Sequence, residues 1–160
     1  MIRPLTLADL PAALALQAGN YPPALHDGPE AFASRIRVAP QWCWAVEREG
    51  ELLAYLLSHP WMRLSPPAPD TVLERAQGDC WYIHDLSVAP EARGLGLARQ
   101  LIEHGAAAQT LKRSELIAVE GARDFWLRHG WSDARALPPA LHDKVMAYGA
   151  SAAYMVRDLA

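Results

Sequence analysis

Apolar residues recur along this chain with two different spacings. Leu7, Leu10, Leu14 and Ala18 fall at helical intervals, with Thr6 or Asp9 placed to cap the helix they predict. Ile2 to Leu5 before it reads as a short strand, and Gly19 to Pro29 after it as a turn-rich loop holding Tyr21, Pro22 and Pro23. Glu30 to Val38 is a second helix, with Phe32, Ile36 and Ala39 to one side. From Trp42 the period drops to two: Trp42, Trp44 and Val46 alternate with Cys43, Ala45 and Glu47. Glu49-Gly50 is a turn signal and Leu52 to Leu57 the returning strand of a hairpin. Pro60, Pro66, Pro67 and Pro69 then stop regular structure, with one short helix expected over Asp70 to Gln77. Cys80 to Val88 is the best strand, closed by Pro90. Gly96 to Lys112 is the best helix: Leu97, Leu101, Gly105 and Ala108 form a stripe with Ala98 and Ile102 beside it. Leu116 to Val119 is a short strand, and Ala122 to His129 a helix ended by Gly130. Trp131 opens another strand and Ala153 to Leu159 is the last.

The order is β-α-α-β-β-β-α-β-α-β-β. Strand, helix, strand across Cys80 to Val119 is a right-handed crossover, so those two strands should run parallel. The hairpin before them is antiparallel. The expectation is an α/β chain with a mixed sheet and helices on its faces, forming one domain over residues 1–160 without internal repeats.

Composition narrows the functional classes. The chain has 160 residues, enough for one core, and is 51% hydrophobic and 21% charged. A net charge of -3 argues against nucleic acid as the main partner, because phosphate neutralisation needs a basic face. Cys43 and Cys80 form no Cys-x-x-Cys pair, no His/Cys spacing suggests a metal, and both sit in strand-like runs, which reads as two buried reduced thiols. The start, Met1-Ile2-Arg3-Pro4, lacks a leader's apolar stretch, and no apolar run would cross a membrane. The expectation is a cytoplasmic protein.

The segment Arg93-Gly94-Leu95-Gly96-Leu97-Ala98, between the best strand and the best helix, carries candidate chemistry. Gly94 and Gly96 free the backbone and remove side chains that would block a ligand. The first amide N–H groups of the helix have no intrahelical partner, and the helix dipole adds partial positive charge. Together they form an anion cradle suited to a pyrophosphate, with Arg93 at its rim. Gly-Lys-Ser/Thr of a Walker A loop is missing, as is the third glycine of a dinucleotide fingerprint. Taken alone, Gly-x-Gly before a helix can equally be a tight turn.

The joint pattern resembles the GNAT N-acetyltransferase superfamily. Arg-x-x-Gly-x-Ala after a strand ending Leu86-Ser87-Val88-x-Pro90 is similar to that family's coenzyme A loop. Ala122-Arg123-Asp124-Phe125-Trp126, with Gly130-Trp131, is similar to its late helix, which often reads Ala-x-x-Phe-Tyr-x-x-x-Gly-Phe. Ile2-Arg3-Pro4, Asp9-Leu10 and Tyr154-Met155-Val156-Arg157 resemble its first and last elements. Tyr82-Ile83-His84-Asp85-Leu86-Ser87-Val88 and Tyr55-Leu56-Leu57-Ser58-His59-Pro60-Trp61 resemble the arylalkylamine branch.

The resemblance implies a mostly antiparallel sheet with a central parallel pair splayed for coenzyme A, acetyl-CoA as co-substrate without metal, and direct transfer to a primary amine. His84 stands where that branch has the second of two catalytic histidines, and Tyr82 where it has the first. Strand alternation puts Tyr82, His84, Leu86 and Val88 on one face and Asp85 on the other. Leu86, Ser87, Val88, Arg93, Gly94, Leu95, Gly96, Leu97, Ala98, Arg99 and Trp126 are the implied coenzyme residues. Trp126 replaces the family's acid tyrosine, so Tyr148, Tyr154 or water would take that role, or none is needed. Six tryptophans are candidates for an apolar amine pocket, though most are expected to be structural. The expected acceptor is a small (aryl)alkylamine, handled by a monomer or homodimer. The alternatives are a protein or peptide N-terminal acetyltransferase and a non-catalytic acyl-CoA-binding module.

Overall fold

A computed structural model describes residues 1–159. Seven strands form one sheet: β1 (Ile2–Pro4), β2 (Trp44–Arg48), β3 (Glu51–Trp61), β4 (Cys80–Val88), β5 (Arg113–Ala118), β6 (Ser132–Asp133) and β7 (Ala153–Asp158). Their order across the sheet is β1-β2-β3-β4-β5-β7-β6, and β4 with β5 is its one parallel pair among the described residues. Helices α1 (Leu10–Asn20), α2 (Pro29–Val38), α3 (Leu97–Ala107), α4 (Arg123–Arg128) and α5 (Pro139–Met146) cover both faces. No helix of the described residues is long and apolar enough to cross a membrane.

Strand alternation divides the core in two. Leu56, Trp81, Ile83, Leu116 and Met155 point to the α3–α4 side, where they meet Leu97, Leu101, Ile102, Trp126 and Trp131. Tyr55, Leu57, Cys43 and Ala45 point to the other side, against Ala13 of α1 and Phe32 and Ile36 of α2. Cys43 and Cys80 are free and buried, as their strand positions predict. Helix α3 lies close on the sheet because it carries Gly105: a Cβ there would sit 2.8 Å from Trp81 Cζ2 and 2.9 Å from Leu56 Cδ2. Gly105→Ala is expected to destabilise the fold by about 1–3 kcal/mol, the usual cost of overfilling a packed core. Urea denaturation is the check, and an unchanged midpoint would mean the layers can separate freely.

Four details differ from the sequence expectation. Strand β3 does not stop before Pro60 but runs to Trp61. Its neighbour β2 pairs with it only as far as Trp44↔Leu56, so Pro60 is bonded on one side only and its missing N–H costs little. No helix forms over Asp70 to Gln77; the 62–79 segment is an irregular strap. Strand β5 begins at Arg113 rather than Leu116, which places Glu115 inside the sheet, fully buried and bonded by Arg113 and the Tyr154 hydroxyl. Helix α5 is an extra element between the last two strands, held by Leu141 and Val145 against Tyr154.

Candidate active site

Strand β4 pairs with β3 along its whole length, but with β5 only at Trp81↔Ser114, Tyr82↔Glu115 and Ile83↔Leu116. Beyond Ile83 the parallel strands part, and a cleft of about 420 Å³ opens between them. At the parting point β4 carries a bulge: Leu57 faces Asp85, Ser58 faces Ile83, and His84 has no partner on β3. The bulge resets the alternation. Leu86 and Val88 pack with Ile83 toward α3, whereas Asp85 turns to Tyr55 on the α1–α2 side. Tyr82, His84, Leu86 and Val88 therefore do not share one face as strict alternation predicts. Tyr82 and His84 nonetheless both line the cleft.

His84 Nε2 lies 2.6 Å from Asp27 Oδ2, and both side chains are 7% exposed. Asp27 is fixed in turn by Gln17, whose side chain bonds both its N–H and its carbonyl at 2.9 Å. Burial opposes ionisation of Asp27, but the neighbouring charges of His84 and Arg35 prevail and hold its carboxyl below the usual range. An ionised Asp27 accepts, so Nε2 donates the hydrogen of this bond and Nδ1 is the ring nitrogen that Asp27 does not engage. A second imidazole, His59, stacks 5.5 Å from the Tyr82 ring. Burial first, then the charges of His84 and Arg35, push it down to about 3, so it is neutral. Asp85, half-buried, accepts from the Tyr55 hydroxyl, and desolvation raises its carboxyl above the usual range.

The edge of β4 facing the cleft is backbone. Ala89 N–H donates to Leu53 O on β3, so by alternation Leu86 and Val88 present their backbone groups to the gap. From the end of α1, Tyr21 Oη donates to Leu86 O at 3.1 Å and Asn20 Nδ2 to Val88 O at 3.0 Å. Arg93 reaches the same point, donating to Asn20 Oδ1 at 2.7 Å. Gly94 and Gly96 have φ of 82° and 78°, and Gly96 starts α3 with no side-chain cap. A Cβ on Gly94 would meet nothing within 4 Å, so the loop leading into α3 is unobstructed at that position. The helix's first N–H groups, Arg93 and the strand edge that β5 leaves uncovered, whose Leu86 and Val88 carbonyls accept from Tyr21 and Asn20, fit a ligand that is anionic at one end and amide-like at the other.

The profile of the acetyltransferase (GNAT) family matches residues 11–131. The chain belongs to this family. It is 33% identical over 106 residues to the 5-NmdU N-acetyltransferase of Pseudomonas phage PaMx11, a match covering 64% of this chain and 66% of that one. Among solved structures, the GphF GNAT-like decarboxylase in complex with isobutyryl-CoA superposes with a TM-score of 0.80 at 17% identity, covering all of both chains. The loading GNATL domain of CurA from Lyngbya majuscula gives 0.79 at 17% identity, covering 99% of this chain and 96% of that one. These two likenesses concern the fold.

The remaining residues of this GNAT acetyltransferase that the sequence singles out are distributed as follows. Ala98 and Trp126 line the cleft, the latter packed edge-on against Phe125 and Trp131. Leu97 is buried in the core, Leu95 is 52% exposed, and the Ser87 hydroxyl is buried without a protein partner. Arg99 is spent on Glu103, one turn along, at 2.8 Å and does not line the cleft. Of the two stand-in tyrosines, Tyr154 is committed to Glu115 outside the cleft, while Tyr148 lines it and donates to Pro67 O at 2.7 Å. Trp126 is the sole tryptophan lining the cleft among the described residues; the other five lie outside it, in keeping with the expectation that most are structural. Asp27, Asn20 and Tyr21, all in or beside the loop after α1, were not predicted as site residues.

Proposed function

We propose that this acetyltransferase moves the acetyl group of acetyl-CoA directly to a small primary amine, with His84 as general base. The observation that carries the reading is the His84–Asp27 pair at 2.6 Å, placed at the bulge where β4 and β5 part. Nδ1 of His84 takes the ammonium proton, directly or through a water, and the freed lone pair attacks the thioester carbonyl. Asp27 stabilises the imidazolium that results. The carbon–sulfur bond then breaks as the tetrahedral adduct collapses, the adduct nitrogen gives its remaining extra proton to solvent, and sulfur leaves as a thiolate. A thiol pKa near 8.5 makes it a tolerable leaving group without a dedicated acid. That suits Trp126, whose indole N–H is a donor and not a practical acid. Tyr82, whose burial raises its hydroxyl well above the ordinary phenol value, is a neutral wall of the acceptor side. Pantetheine would lie along Leu86 and Val88, and pyrophosphate before α3 at Arg93, Gly94 and Gly96. The phage relative, named for N-acetylation, supports an amine acceptor.

Asp27→Asn tests the pair. The amide can still accept from Nε2 but loses the charge, so kcat is expected to fall about tenfold to a hundredfold, part of what a general base contributes. Acetyl-CoA affinity by calorimetry should hold. A kcat equal to that of the unaltered protein would remove Asp27 from the mechanism.

A further inference from the structure

The acceptor end of the cleft, opposite the glycine loop, is walled by three segments distant in sequence. Leu25, His26 and Asp27 come from the α1–α2 loop, Pro69 and Asp70 from the strap between β3 and β4, and Tyr148 from the turn after α5. Residues that line this end also tie the segments together. Asp70 Oδ1 accepts from Gly28 N–H at 2.8 Å, joining strap to loop. Tyr148 Oη donates to Pro67 O at 2.7 Å, joining the α5 turn to strap. Two further bonds fasten the strap to α2: the buried Arg35 donates to Thr71 O at 2.9 Å, and Leu73 N–H donates to Ser34 Oγ at 2.9 Å. Near the start of the strap, Leu64 N–H donates to the buried carboxylate of Glu115 at 2.7 Å. A segment without regular structure is thus held to its neighbours from Leu64 to Leu73.

The charges at this end are one-sided. Asp27 and Asp70 are carboxylates, and Glu120 is a third in the cleft wall. Among the described residues, the single Lys or Arg lining the cleft is Arg93, and it is bonded to Asn20 at the coenzyme end. A carboxylate entering the acceptor end would meet Asp70 with no lysine or arginine in the wall to pair with, since Arg35 lies buried behind Asp27 and His84 is already paired with Asp27, an arrangement that disfavours a second carboxylate. An ammonium group would be attracted.

We infer that the cross-tied frame of loop, strap and α5 turn is the specificity element of the enzyme: it admits a compact amine that lacks a carboxylate, and rejects both free α-amino acids and extended peptides. This rests on the amine-transfer reading above and narrows it to one acceptor class, with Asp70 and Tyr148 as specificity-determining residues.

Matched acceptors test it. Initial rates are measured with acetyl-CoA and the pairs phenethylamine and phenylalanine, tryptamine and tryptophan, putrescine and ornithine, together with a peptide beginning with phenylalanine. The amine of any pair that turns over should exceed its amino acid in kcat/KM by at least about a hundredfold, the scale that like-charge juxtaposition allows, and the peptide should be inert. Asp70→Asn should shrink that ratio about tenfold while acetyl-CoA KM stays fixed, a change that mere loosening of the fold would not produce. Tyr148→Phe should raise acceptor KM alone. If an amino acid or the peptide matches its amine, the specificity inference fails while amine transfer stands. If no acceptor reacts although acetyl-CoA binds, the amine-transfer reading itself fails and takes this inference with it.

Discussion

His84→Ala is expected to lower kcat for a competent amine by about 10²–10⁴ at neutral pH, the usual contribution of a positioned general base. Acetyl-CoA affinity should stay near that of the unaltered protein, because the imidazole is paired with Asp27 and not with the strand edge or the glycine loop. No neighbour can take over. His59 is neutral, its Nδ1 lies against Pro60 O at 3.2 Å, and it does not line the cleft. The Tyr82 hydroxyl is held protonated by burial and cannot accept the proton as a phenolate near neutral pH. The deficit should also depend on pH in one direction. An alkylamine with a pKa near 10 arrives protonated at neutral pH and needs the base, but arrives increasingly neutral as pH rises. The gap between the two proteins should therefore narrow toward pH 10. Parallel pH–rate profiles with equal kcat would show that His84 only fills space.

The parts of this site legible in sequence are those encoded locally. Strand β4 is rich in aromatic and branched apolar residues around His84-Asp85, and the loop into α3 pairs glycines with an amphipathic helix, so a strand, an anion cradle and a parallel crossover follow from neighbours in the chain. What was not legible is set by distant partners. Asp27 sits in a loop with no periodicity and meets His84 across 57 positions. The bulge at His84 comes from the β3–β4 register, which no single segment dictates, and so the simple alternation along β4 misplaces Leu86 and Val88 relative to His84. Helix α5 did carry a local signal: Pro139 at its first position, Leu141 and Val145 four apart, and Gly149 beyond its end. The stretch is short and mostly polar, and it is stabilised by docking on Tyr154 and not by its own propensity. The strap fails to be helical over Asp70 to Gln77 because its polar groups are claimed by α2 and the loop, through Thr71, Leu73 and Asp70.

Gly96→Val should weaken acetyl-CoA binding by at least about a hundredfold, a loss near 2.7 kcal/mol. Two effects are separable. Gly96 sits at φ 78°, in the left-handed region that β-branched residues rarely adopt, so any side chain there strains the entry to α3. The fold itself has room for a Cβ: the nearest atom is Gln100 Nε2 at 3.9 Å. A clash, if one arises, comes from the ligand. Gly96→Ala carries most of the backbone strain with little bulk, whereas valine adds two methyl groups before amides that have no other partner. The two variants should thus lose similar thermal stability but differ in coenzyme Kd, with valine much the worse. Calorimetric titration with acetyl-CoA and with free coenzyme A gives both affinities. If folded Gly96→Val binds as tightly as the unaltered protein, the phosphates do not lie at the start of α3. If alanine and valine are equally impaired, strain and not occupancy sets the loss, and the loop acts by shaping the helix entry instead of by contact.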